Sequence, residues 1–124
     1  MTTEADADAA LDEVRRICVA LPEVTEKLSH GSATFFARKS FLMFHDDHHG
    51  DGRLAVWVAA PVGAQDEMVT AEPERFFVPP YVGYRGWLGV RLDRDPDWHE
   101  VAQIIEDAYR TVAPKKLLAL LDAD

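Results

Sequence analysis

Cysteine is almost missing from this chain. Cys18 stands alone, which excludes an intramolecular disulfide, and its neighbours Val14, Ile17 and Leu21 mark it as a small buried apolar residue rather than a reactive thiol. A reducing, cytoplasmic setting is the expectation. Long apolar runs are also missing: none approaches the roughly 20 residues that a bilayer span needs. The start of the chain, MTTEADADAALDEV, has neither a basic n-region nor an apolar h-region, so no membrane association is expected. Positive charge is scarce, with 13 Lys and Arg against 22 Asp and Glu and a net charge of -9. That balance opposes nonspecific attraction to phosphate backbones. Catalytic signatures are absent too: the sequence holds no serine nucleophile elbow, no glycine-rich phosphate loop and no Cys-x-x-Cys pair. Glu72, Glu74, Glu106 and Asp107 form no recognised carboxylate pair. No nucleophile, base and orienting group can be assembled, so neither an enzyme nor a cofactor is expected.

What remains is a core. The 124 residues are 48% hydrophobic, enough for one domain over residues 1–124 that buries about two-thirds of the surface its unfolded chain exposes. Residues 1–6 read as a flexible acidic lead. Leu11, Val14, Ile17 and Leu21 recur at helical spacing before Pro22, which predicts a helix over 7–21. After a polar loop through Ser29, His30 and Gly31, the runs 33–37 and 41–45 predict a hairpin, and 53–59 a third strand. A short helix is expected between Pro61 and Pro73, a brief strand at 76–78, and a firmer one over 87–92. In the latter, Trp87, Gly89 and Arg91 alternate with Leu88, Val90 and Leu92. Asp95-Pro96 is expected to cap a long helix, and Pro114 to open a last short one. The order α-β-β-β-α-β-β-α(-α) predicts an α+β domain with an antiparallel sheet of about five strands and helices packed on one face.

The segment RFFVPPYVGYRGWLGVRLD, residues 75–93, is the most distinctive stretch. With LPEVTEKLSHGSATFFARKSFLMF before it and DWHEVAQIIEDAYRTVAPKKL after it, it resembles the MmcQ/YjbR-like family from about Leu11 to Leu118. The resemblance implies a compact fold described as secretion-chaperone-like. Members are often labelled DNA-binding because that fold is similar to double-wing modules, which is an analogy of fold alone.

Arg85 is the leading candidate for contact with a ligand. Gly83 and Gly86 flank its turn, its guanidinium offers a fork of donors to phosphate or carboxylate, and Tyr81, Tyr84 and Trp87 surround it. Basic residues with aromatics is the composition used for stacking on bases, although aromatics beside a sheet edge also serve as core or lid. Arg91 and Arg38 extend a basic face together with Lys39, Arg75 and Arg94. His30, beside Gly31, could serve as a base or an anion contact. His45, His48 and His49, interleaved with Asp46, Asp47 and Asp51, are weak candidates for metal ligands, since a solvated turn explains the same composition. Two functions follow. One is a DNA-binding module, proposed by the family label. The other is a non-enzymatic domain that binds a protein partner or a small anionic ligand through the aromatic segment from Phe76 to Trp87, which an exposed aromatic patch would mark.

Overall fold

The computed structural model describes residues 3–123. Helix α1 spans Glu4–Val19, β1 Thr25–Ser29, β2 Ser32–Ala37, β3 Lys39–Asp46 and β4 Leu54–Val58. Helix α2 follows at Ala64–Ala71, then β5 Phe76–Phe77, β6 Leu88–Arg91, α3 Trp98–Val112 and α4 Lys115–Asp122. The strands form one six-stranded sheet in the order β1-β2-β3-β4-β6-β5, with every neighbouring pair antiparallel. Among the described residues, no helix is long and apolar enough to cross a membrane.

The α+β class and the element order agree with the sequence reading, and the strand the reading missed is β1. Its residues TEKLS are exposed or half-buried throughout, so this edge strand carries no alternating apolar signal and reads as polar loop. It closes on β2 through His30 (φ 52) and Gly31 (φ 81), a two-residue turn with both φ values positive. Helix α1 begins at Glu4 rather than residue 7, because Thr3 and Asp6 form a reciprocal capping box. The ordered helix thus takes in part of the stretch read as a flexible lead; Met1 and Thr2 lie outside the described residues. Helix α3 is capped by Asp97, not Asp95: the Asp97 carboxylate accepts from the His99 and Glu100 amides.

Register separates the two faces of the sheet. Leu42, Val58 and Leu88 stand opposite one another, as do Phe44, Val56 and Val90, so all six share one face. Glu26 and Phe35 belong to that face, and Arg15 of α1 is ion-paired with Glu26, which places α1 over it. Helix α3 supplies Val101, Ile105, Ala108 and Tyr109 to the core. The Tyr109 ring meets Phe41 edge-on at 5.7 Å, and its hydroxyl donates to the Pro22 carbonyl at 2.7 Å. The opposite face carries Met43, Trp57, Gly89 and Phe77 in one row and His45, Ala55 and Arg91 in the next. This second face holds His45 and Arg91, two of the residues the sequence singled out.

Candidate functional site

The segment between β5 and β6 is shaped by two close approaches. A Cβ at Gly89 would lie 2.4 to 2.6 Å from three atoms of the Phe77 ring, so Phe77 lies flat across β6 at the one position without a side chain. The Arg53 guanidinium sits 4.1 Å from the centre of that ring. Beyond β5, Val78 packs over Gly83, where a Cβ would come within 2.5 Å of Val78 Cγ1. Between them Tyr81 has φ 67, and the Val82 amide donates to the Pro80 carbonyl at 2.7 Å. This is the positive-φ form of the γ-turn, a rare and strained geometry for a residue with a large side chain. A single 3-10 turn over Gly83–Arg85 then ends at Gly86 (φ 84), which sends the chain into β6. Gln65 of α2 holds this loop shut: its Nε2 donates to the carbonyls of Gly83 at 2.7 Å and Trp87 at 2.6 Å, bracketing the turn.

The outcome divides the aromatic cluster. Tyr81 is 71% exposed, Tyr84 88% and Val78 55%, whereas Trp87 is 3% exposed and belongs to the core. Arg85, itself exposed, lies across Trp87 with its guanidinium 5.3 Å from the ring. The sequence reading brought Tyr81, Tyr84 and Trp87 together around the guanidinium; the structure keeps Arg85 on Trp87 and leaves both tyrosines exposed.

The basic face does not survive as such. Arg38 occupies the β2–β3 turn with φ 71 and pairs with Glu23 at 3.1 Å. Arg75 pairs with Glu72 at 2.8 Å and also with Glu100. Arg91 donates twice to Asp93 at 2.9 Å, and Asp93 also accepts from the Leu54 amide. Arg15, Arg16, Arg53 and Arg110 are likewise ion-paired, so Arg85 and Arg94 are the arginines without an ion pair among the described residues. Arg94 lines a cleft of about 1030 Å³ at the end of the sheet with Asp46, Asp47, Asp93 and Asp95. A second recess of about 390 Å³ lies beside Cys18, Val19 and Phe35. Neither is lined by Tyr81, Tyr84 or Arg85. Burial pushes the Cys18 thiol up to about 12.

The histidines split in the same manner. His30 is exposed at the β1–β2 turn. His45 is buried, shares a hydrogen bond of 2.9 Å between Nδ1 and the Ser32 hydroxyl, and forms a closed triangle of rings with Trp57 and His48. The ring centres are 3.8, 4.6 and 4.7 Å apart. His45 Nε2 and Trp57 Nε1 are both buried without a partner. Burial, and then the neighbouring His48, push His45 down to about 4, with Asp51 opposing. His48 is also shifted down, by burial first and then by His49. Its ring is 6.1 Å from Tyr81, edge to face, so the histidine loop buttresses the exposed turn. Among the described residues no three His, Cys, Asp or Glu side chains are grouped to hold a metal ion. His45, His48 and His49 are brought together as an aromatic stack, not as a ligand set. Gln65, Ser32 and Trp57 escaped the sequence reading because each acts through a partner distant in the chain.

These features define a compact α+β domain that displays a strained, braced aromatic turn. The chain belongs to the YjbR family, whose model matches residues 19–111. In fold it is similar to the crystal structure of Deinococcus radiodurans protein DR2400, which carries the DUF419 family-model domain. The TM-score is 0.71 at 17% identity, over 92% of this chain and 88% of that one. No curated protein matches significantly.

Proposed function

We propose that this chain is a non-enzymatic binding domain that docks a protein partner on the turn from Val78 to Arg85. One observation carries the reading: Tyr81 and Tyr84 are exposed beside an arginine that has no ion pair among the described residues, while Trp87 is buried beneath it. Tyrosine and arginine dominate the energetic centres of protein interfaces because they give area and directed donors at small entropic cost. The strained backbone at Tyr81 supports the reading, since such strain persists where a side chain must be displayed in a fixed place. A convex turn suits a protein better than a small molecule, which binds in a concavity.

Nucleic-acid binding is the competing function. It draws on several free cations, each neutralised phosphate adding about 0.9 to the salt slope for duplex DNA. Here Arg38, Arg75 and Arg91 are committed to carboxylates, on a chain of net charge -9. Acyl-transfer chemistry at Ser32 and His45 has little support, because His45 Nε2 lacks an orienting group and a base held near 4 is weak.

A photo-crosslinking residue placed at position 84, with position 70 on the outer side of α2 as control, tests the reading in cells. Discrete protein adducts are expected at 84 alone, and they should disappear on Tyr81→Ser. Identical adducts at both positions, or salt-sensitive oligonucleotide binding that Arg85→Gln abolishes, would overturn it.

A further inference from the structure

Resting on that docking surface, the geometry points to a partner segment that presents a single carboxylate next to an apolar side chain: the carboxylate meets Arg85, and the apolar group lies against Val78, Tyr81 and Tyr84. The first argument is the charge left over. In a chain of net charge -9, seven of the nine arginines have found carboxylates among the described residues; Arg94 lines a cleft with Asp46, Asp47, Asp93 and Asp95, and Arg85 is left without one. Its position over Trp87 explains where the guanidinium rests, but the residue is exposed and its N–H donors, a fork suited to a planar pair of oxygens, make no hydrogen bond among the described residues.

The second argument is preorganisation. Trp87 is buried and fixed, Gln65 locks the carbonyls on both sides of the turn, and Val78 is seated on Gly83. The backbone of the turn and the ring beneath the guanidinium are therefore fixed before a partner arrives, which lowers the cost of binding. The third concerns the size of the anion. One guanidinium balances one carboxylate, whereas a phosphate brings nearly two charges and is normally met by a cluster of arginines. With a screening length of about 8 Å at physiological salt, only charges close to Arg85 add to its pull, and residues 75–92 offer no second cation free of a carboxylate among the described residues. A lone carboxylate thus fits where a phosphate or an acidic run does not.

The test is a random peptide library displayed on phage, selected against the intact chain. Enriched peptides should share one Asp, Glu or free C-terminal carboxylate beside an aromatic or aliphatic residue. Replacing that carboxylate by its amide should weaken binding at least tenfold, and so should Arg85→Gln, with no further loss when both changes are combined. Arg85→Lys should recover less than half of the lost affinity on a logarithmic scale, and a phosphoserine in place of the acid should bind less well. Peptides that lose affinity with Tyr81→Ser and Tyr84→Ser but ignore Arg85→Gln would overturn this inference and leave the docking surface standing. Peptides indifferent to all these substitutions, or no enrichment, would overturn both.

Discussion

His45 ties the stability of the domain to pH in a range where ordinary carboxylates have finished titrating. Its imidazole is held at about 4, against 6.5 when unperturbed, by burial and then by His48. Because the folded value is the lower one, the unfolded chain binds more protons between pH 6.5 and 4. Stability is therefore complete above pH 6.5 and is lost as the pH falls toward 4. Applied to those two values, proton linkage gives a loss of about 2 kcal/mol between pH 7.5 and pH 5. That is a large part of the roughly 5 to 15 kcal/mol by which a small domain is held folded. His48, displaced in the same direction, adds to the loss. Urea unfolding at pH 7.5, 6.5, 5.75 and 5 would measure it directly. In His45→Phe, a ring still lies against Trp57 but nothing titrates. The Ser32 hydroxyl loses its partner at a cost of about 1 kcal/mol, which lowers the whole curve without tilting it. The variant should therefore be less pH-dependent than the parent by about 2 kcal/mol over this range. Equal slopes in the two proteins would refute the account of His45.

Gly89→Ala drives a methyl group into the Phe77 ring, which Arg53 covers on the far side, and should lower stability by about 1 to 3 kcal/mol in thermal unfolding; an unchanged midpoint would show that the β5 edge is not pinned there. Gln65→Leu frees the carbonyls of Gly83 and Trp87, so hydrogen exchange in residues 83–87 should quicken by about tenfold while the amides of β3 and β4 keep their rates. Uniform acceleration would mean global destabilisation instead. Cys18, buried and with its thiol raised to about 12, should react with a thiol reagent only at the rate of unfolding, and prompt reaction in native buffer would contradict that burial.

The parts of the fold that were legible in the sequence are those where one residue's environment repeats down an element. Val101, Ile105, Ala108 and Tyr109 line one stripe of α3, and Leu88 and Val90 alternate with Gly89 and Arg91 along β6. The β1 edge failed that test because both its faces are wet, and the Asp97 cap failed because Asp95-Pro96 is as good a cap by composition. What chose between the two aspartates was geometry: Asp95 sits at φ 52 in the preceding loop, while Asp97 is extended and its carboxylate faces two amides.

The site was legible only as a neighbourhood. Composition located the turn and its arginine, but could not say which arginines would be spent on carboxylates, since those partners come from elsewhere in the chain: Glu23 for Arg38, Glu100 for Arg75. The same limit applied to the rings. Trp87 and Tyr84 lie three residues apart in one motif, yet register places Trp87 beside buried Leu88, while the 3-10 turn ending at Gly86 throws Tyr84 outward. Arg91 reads in the sequence as part of a basic face beside Arg85, and its pairing with Asp93, which also holds the Leu54 amide, makes it a brace between β4 and β6. Changing Arg91 together with Arg85 would confound loss of a brace with loss of a contact. Arg85 alone separates them, because it rests on the Trp87 ring and makes no ion pair among the described residues, so its loss removes no brace of that kind.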